Sequence, residues 1–178
     1  MGGHAINYTT EHSPLGHGKE TVEDTARTIS RYCNLVTIRM HSHKDVERFA
    51  ENSAIPVINS LTSFEHPCQI LGDLMTIMEI KKRLDNLKIS YLGDGNNNVT
   101  HSLIYACSIL GLKISVACPK IKDYYPQEKV LHESSMYSRF SNSEILIIDK
   151  ADESVKDADV VYADSWMAYR IPKSQLKT

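Results

Sequence analysis

His66 and Gln69 stand three residues apart in the run His66-Pro67-Cys68-Gln69-Ile70-Leu71-Gly72-Asp73-Leu74-Met75-Thr76-Ile77. Pro67 suits a first helical position, where its missing N–H would be unpaired in any case, so the run reads as a helix entered at His66-Pro67 and continuing to about Leu84. On that helix the two side chains lie on one side, a turn apart, beside exposed N–H groups and the positive end of the dipole. An imidazole, a carboxamide with both donor and acceptor, and an anion-friendly helix end suit a small substrate carrying a carbonyl, an NH2 group and a phosphate. A His-Pro pair at a helix start is also an ordinary cap, so the surrounding sequence has to decide.

Arg39 ends an apolar strand-like run, residues 35–40, where a guanidinium can grip phosphate or carbonyl oxygens through two donors in a fixed plane. The same arginine would also be at home in solvent. Gly93-Asp94-Gly95-Asn96-Asn97-Asn98 follows a strand and precedes a helix, which raises a dinucleotide-binding reading. That signal is weak, because Asn98 replaces the third glycine and no acidic ribose partner follows about 20 residues later. An asparagine at a helix start is equally a good N-cap.

The elements that must position these groups alternate between strands and helices. Residues 4–9 read as a strand and 10–20 as a polar loop containing Pro14, Gly16 and Gly18. Thr21 with Asp24 starts a helix through about residue 33, and Ser42 with Asp45 starts another through Val46, Phe49 and Ala50. A brief strand at 56–59 leads to the loop before His66. Ile70, Leu71, Leu74, Ile77 and Met78 recur at helical spacing and predict one face of the next helix packed into a core.

Further strands are expected at 87–92, 113–117, 144–148 and 159–163, with helices at 98–110, 126–140 and 151–156. Repeated βα units predict an α/β fold with mainly parallel sheets, in which ligands gather at the carboxyl ends of strands. Arg39 ends one strand and His66 lies beyond the next, so both are expected to reach one crevice. No internal repeat or low-complexity segment interrupts the pattern.

With 178 residues, 42% hydrophobic content and a net charge of −2, the chain has the composition of an ordinary globular protein of one or two domains. A pI near 6.4 argues against non-specific binding to nucleic acid or anionic membranes. Lys81-Lys82-Arg83 reads as a solvated helix end. Cys33, Cys68, Cys107 and Cys118 lack C-x-x-C spacing and lie in apolar elements, which predicts reduced buried thiols and a cytoplasmic setting. No apolar run approaches the roughly 18 residues of a membrane span, and Met1-Gly2-Gly3-His4 lacks the features of a signal peptide. The histidines at 4, 12, 17, 41, 43, 101 and 132 raise a metal reading, but His41-x-His43 lies in a polar turn without a further carboxylate or cysteine at ligand spacing, so no metal is expected.

His66-Pro67-Cys68-Gln69 with the apolar run after it resembles the His-Pro-x-Gln signature of the aspartate/ornithine carbamoyltransferase family, closest to its ornithine branch. Gly2-Gly3-His4-Ala5, Asp24-Thr25-Ala26-Arg27-Thr28-Ile29-Ser30-Arg31-Tyr32 and Gly93-Asp94-Gly95-Asn96-Asn97-Asn98-Val99-Thr100-His101-Ser102 follow in the family's order, and the likeness runs from Gly2 to about Trp166. The resemblance implies two βα-type parallel-sheet domains, both incomplete. Residues 1–80 would be part of a carbamoyl-phosphate domain, and residues 81–178 part of a Rossmann-like amino-acid domain. The boundary would fall in the long helix near Leu84.

The implied reaction is attack by the neutral side-chain amine of L-ornithine on carbamoyl phosphate, giving citrulline and phosphate without a covalent enzyme intermediate or a cofactor. By carry-over, Arg39 would contact carbamoyl phosphate. His66 would donate to the carbamoyl oxygen, and Gln69 would accept from its NH2 group. Asn98 would bind the α-carboxylate and Asp164 the α-ammonium group of the amino acid, with Ala168 and Tyr169 beside its side chain. Residues 13–20 would reach a neighbouring active site in a homotrimer, and Trp166 would pack rather than stack on a ligand.

Two departures qualify that picture. The family's Ser-Thr-Arg-Thr-Arg segment would precede Gly2 and its His-Cys-Leu-Pro segment would follow the chain; neither is present. Each charge-assisted hydrogen bond so lost is worth roughly 1.5–3 kcal/mol, which predicts little turnover by this polypeptide alone. Where the ornithine branch has Asp-x-Trp-x-Ser-Met-Gly, this chain has Asp164-Ser165-Trp166-Met167-Ala168-Tyr169-Arg170. A different acceptor amine, a non-catalytic homologue that binds ligand or assembles with active subunits, and a nucleotide-binding Rossmann-type module are the competing readings.

Overall fold

Thr21 and Ser42 each start a helix by satisfying an N–H that the first turn would leave unpaired. Thr21 Oγ1 accepts from the Asp24 N–H at 3.1 Å to open α1 (Val22–Ile29), and Ser42 Oγ accepts from the Asp45 N–H at 3.3 Å to open α2 (His43–Glu51). Strands β1 (Val36–Arg39) and β2 (Val57–Leu61) form a two-stranded sheet. Val22, Ala26, Ile38, Val46 and Phe49 form the core beside it. The Arg48 guanidinium donates to the Glu23 carboxylate at 2.7 Å and 2.9 Å, joining α2 to α1.

This is a computed structural model, and it describes residues 2–164. It divides into two units, Met1–Asn59 and Ser60–Thr178. Residues 4–9 form no strand: all are exposed, and no strand among the described residues pairs with them. Helix α1 stops at Ile29, short of residue 33, where the Ser30 hydroxyl turns back to donate to the Ala26 carbonyl at 2.7 Å.

The second unit contains α3 (Pro67–Lys81), β3 (Lys88–Leu92), α4 (Asn98–Leu110), β4 (Lys113–Ala117), α5 (Glu128–Ser141), β5 (Glu144–Ile148), α6 (Ala151–Val155) and β6 (Val160–Ala163). Its four strands are parallel, in the order β5-β4-β3-β6. Tyr91 of β3 stands opposite Val116 on one side and Tyr162 on the other. Ile89, Ser90 and Tyr91 are all buried, as a central strand covered on both faces requires. Because β4 and β6 lie on opposite sides of β3, the strand order reverses between β3 and β6, which is where open α/β sheets leave a crevice.

Helix α3 ends at Lys81, three residues short of the sequence expectation, with Lys82 in the left-handed conformation at φ 63°. Its buried face is Ile70, Leu74 and Ile77, spaced four and three apart. Leu71 and Met78, expected on that face, are 66% and 43% exposed. They belong to the adjacent stripe, about 100° round the helix, which the described residues leave uncovered. Cys107 and Cys118 are buried and Cys33 is half-buried. Cys68, also expected inside, is exposed on the first turn of α3, and none of the four forms a disulfide. No helix among the described residues is long and apolar enough to cross a membrane.

Candidate functional site

The loop that delivers His66 folds on itself before it meets the rest of the unit. Thr62 Oγ1 accepts from the N–H groups of Phe64 and Glu65 at 3.2 Å and 3.0 Å, while the Thr62 N–H donates to the Glu65 carbonyl at 2.8 Å. A threonine hydroxyl used in this way makes a tight turn without regular structure.

Helix α4 then grips that turn with one polar face. Asn98 Nδ2 donates to the Thr62 carbonyl at 2.8 Å, His101 Nδ1 lies 3.0 Å from the Phe64 carbonyl, and Ser102 Oγ accepts from the His66 N–H at 2.8 Å. Positions 98, 101 and 102 are related as i, i+3 and i+4, so they share a side of the helix. All three are buried. Sequence reasoning singled out Asn98 but missed this partnership. Its signal was the helical spacing of Asn98, His101 and Ser102, which sets three polar residues on one side of the helix.

Asn97, not Asn98, is the N-cap of α4. Its Oδ1 accepts from the Thr100 N–H at 2.8 Å, and its Nδ2 donates to Tyr91 Oη at 2.9 Å and to the Asp94 carbonyl at 3.0 Å. Thr100 Oγ1 donates to the same carbonyl at 2.9 Å. The glycines ahead of it have local duties. Gly93 sits at φ +143°, and a Cβ on Gly95 would lie 2.8 Å from the Tyr124 carbonyl and 2.9 Å from Pro126 Cδ. Gly95 is therefore a packing glycine under the segment holding Tyr124, which explains two glycines here without a dinucleotide.

Gln69, exposed on the first turn of α3, donates through Nε2 to Asp73 Oδ1 at 3.0 Å. The other oxygen of Asp73 accepts from Tyr162 Oη at 2.7 Å, and the Tyr162 ring stacks on Tyr91 at 6.0 Å between centroids. Asp164 follows β6 directly and is half-buried. Burial and then the Asp73 carboxylate push the Tyr162 phenol well above its ordinary range, with a smaller contribution from the charge of Asp164. Tyr91 is shifted upward mainly by burial. Neither phenol ionises near neutral pH, so both act as hydrogen-bonding groups.

His66, Gln69, Asn98 and Asp164 thus all belong to the second unit, and Arg39, exposed at the end of β1, belongs to the first. Ala168, Tyr169, Trp166 and the 171–178 end lie outside the described residues. Among the described residues no group of three His, Cys, Asp or Glu is placed to hold a metal ion. The chemistry available is hydrogen bonding and charge: an imidazole and a carboxamide at the start of α3 and a carboxylate just past the end of β6.

Two family models match the chain. The model described as "Aspartate/ornithine carbamoyltransferase, carbamoyl-P binding domain" covers residues 1–79, and "Aspartate/ornithine carbamoyltransferase, Asp/Orn binding domain" covers residues 85–177. The ornithine carbamoyltransferase of Caldicellulosiruptor saccharolyticus is 45% identical over 168 residues, which is 94% of this chain and 53% of that protein. That of Anoxybacillus flavithermus is 43% identical over 166 residues, 93% of this chain and 52% of that protein. The solved ornithine carbamoyltransferase of Pyrococcus furiosus superposes with a TM-score of 0.77 at 44% identity, over 83% of this chain and 46% of that one. The chain spans about half the length of the curated relatives it matches.

Proposed function

Because this chain belongs to the aspartate/ornithine carbamoyltransferase family, we propose that the protein transfers the carbamoyl group of carbamoyl phosphate to the side-chain amine of L-ornithine, giving citrulline and phosphate, as a step of arginine synthesis. His66 donates to the carbamoyl oxygen and Gln69 accepts from the carbamoyl NH2 group. Together they polarise the carbon under attack and hold the charge that grows on its oxygen. Asn98 and Asp164 receive the amino acid's carboxylate and ammonium groups, with Ala168 and Tyr169 beside its side chain. Arg39 is assigned to carbamoyl phosphate on its match to the family arginine alone. Much of the acceleration comes from holding two substrates in reacting geometry.

The observation that carries this reading lies within the second unit. The turn bearing His66 is bonded directly to α4 through Asn98 and Ser102, while Gln69 is linked through Asp73 to the strand that ends at Asp164. His66 and Gln69, assigned to the carbamoyl donor, are therefore linked, within one unit, to the helix that carries Asn98 and to the strand that precedes Asp164. A cytoplasmic homotrimer of the whole protein, with residues 13–20 approaching a neighbouring site, belongs to the same proposal. Residues 1–80 and 81–178 serve as its carbamoyl-phosphate and amino-acid parts.

Titration calorimetry tests the reading: heat on adding carbamoyl phosphate, abolished by His66→Ala, is the expected result, with citrulline formation as the second readout. Binding of NAD or ATP in place of carbamoyl phosphate would overturn it in favour of a nucleotide-binding module. Carbamoyl-phosphate binding with no citrulline formed by the whole protein would favour a non-catalytic homologue or another amine.

A further inference from the structure

A carboxamide has two ends of nearly equal shape and opposite hydrogen-bonding character, and half a turn about its last torsion exchanges them. Gln69 can accept from a ligand NH2 group only if its own NH2 end points elsewhere. Asp73 stands one helical turn further along α3 and offers Gln69 an acceptor-only carboxylate. Its Oδ1 takes the Gln69 Nε2–H at 3.0 Å and its Oδ2 takes the Tyr162 hydroxyl at 2.7 Å. An exposed pair at i, i+4 is weak on its own. The second bond matters because it fixes the carboxylate from outside the helix. Tyr162 is half-buried, stacked on Tyr91 and carried by β6.

We propose that Asp73 is the positioning residue that sets the polarity of the Gln69 carboxamide, and that Tyr162, by holding the other oxygen of Asp73, ties this orientation to the strand ending at Asp164. With Nε2 committed to Asp73, Oε1 is the end left for a ligand's NH2 group. The inference rests on the reading of Gln69 as a carbamoyl-binding residue, and it makes the donor side of the site sensitive to the strand that carries the amino-acid side.

The test uses two independent readouts on this chain. In 15N–1H spectra without ligand, the side-chain NH2 signal of Gln69, assigned by its loss in Gln69→Glu, should move in Asp73→Ala and in Tyr162→Phe. In calorimetric titrations, phosphonoacetamide carries a carboxamide that inorganic phosphate lacks, so the ratio of their affinities isolates carboxamide recognition. Asp73→Ala should lower that ratio about fivefold, or about 1 kcal/mol, and Tyr162→Phe about twofold, with phosphate affinity unchanged in both; Asp73→Asn, which keeps one acceptor oxygen, should fall between wild type and Asp73→Ala. Tyr162→Phe keeps the ring and its stack, so the test survives if Asp73→Ala folds poorly. A Gln69 signal unmoved in both variants overturns the proposal whatever the protein binds. A moved signal with an unaltered ratio overturns the claim about polarity. A moved signal in a protein whose wild type does not prefer phosphonoacetamide overturns the carbamoyl reading while the orienting role of Asp73 stands.

Discussion

The starts of α3 and α4 are built to opposite ends. Helix α4 opens on Asn97, whose carboxamide is used at both ends, and its first turns spend Asn98, Thr100, His101 and Ser102 on neighbouring loop atoms. Helix α3 opens on His66-Pro67 without a side-chain cap, and its first turn leaves Cys68 and Gln69 exposed. Pro67 removes a donor that would otherwise need a partner, so α3 can start without a cap at small cost. One helix start is an anchor; the other is bonded to that anchor through the His66 N–H and leaves the first-turn side chains of Cys68 and Gln69 exposed. Polar side chains of similar type are therefore tied into the fold at one helix start, Asn98 among them, and face solvent at the other, where the proposed function places Gln69.

Substitutions at the anchored start should show up as lost stability. Gly95→Ala, whose new Cβ would meet the Tyr124 carbonyl at 2.8 Å, should destabilise the second unit by about 2–3 kcal/mol, read from the urea midpoint. Asn98→Ala removes the buried bond to the Thr62 carbonyl and should cost about 1–2 kcal/mol. Hydrogen exchange at the His66 amide, held by Ser102, should quicken in the same variant. A neutral Asn98→Ala would break the contrast, since Asn98 would then be no anchor.

At the open start, Gln69→Ala should change stability by no more than about 0.5 kcal/mol while lowering affinity for phosphonoacetamide. The nearby thiols make the smallest and cleanest comparison. Exposed Cys68 should react with a thiol reagent near neutral pH in the folded protein, and buried Cys118, beside Gly95, only on unfolding.

Burial, and then the negative charge of Asp94, push the Cys118 thiol up to about 11 from its ordinary value of 9.0. Below pH 9 both folded and unfolded chains keep this proton; between about pH 9 and about pH 11 the unfolded chain gives it up first, so this thiol's contribution to stability falls as pH rises. Cys118→Ala should flatten that part of the decline in urea midpoints, and an unchanged slope would place the thiol in a more watery setting.

Local chemistry made much of this legible in advance. Helix α4 and strands β4 and β5 have the bounds expected from periodicity, because Gly111, Pro119 and the apolar alternation mark them within a few residues. Helix ends set by competition were less legible. After Ser30 the chain tightened into i, i+3 turns, Arg31 N–H to the Thr28 carbonyl and Tyr32 N–H to the Ile29 carbonyl, which ended α1, and left-handed Lys82 stopped α3 before Leu84. The exposure of Leu71 and Met78 was also hidden, since helical spacing says which residues share a face but not how wide a face the neighbours cover.

For the site, residue chemistry and spacing pointed to Arg39, His66 and Gln69, because donor and acceptor capacity is a property of the side chain itself, while Asn98 and Asp164 entered only through the family resemblance. The tertiary structure decided what each of them touches. That Asn98 clamps the Thr62 turn, 36 positions away, and that Tyr162, 89 positions from Asp73 and paired through β6 to β3, stands behind Asp73 and Gln69, depends on distant segments meeting. No local spacing encodes such a meeting, since it follows from the strand order and register of the folded sheet.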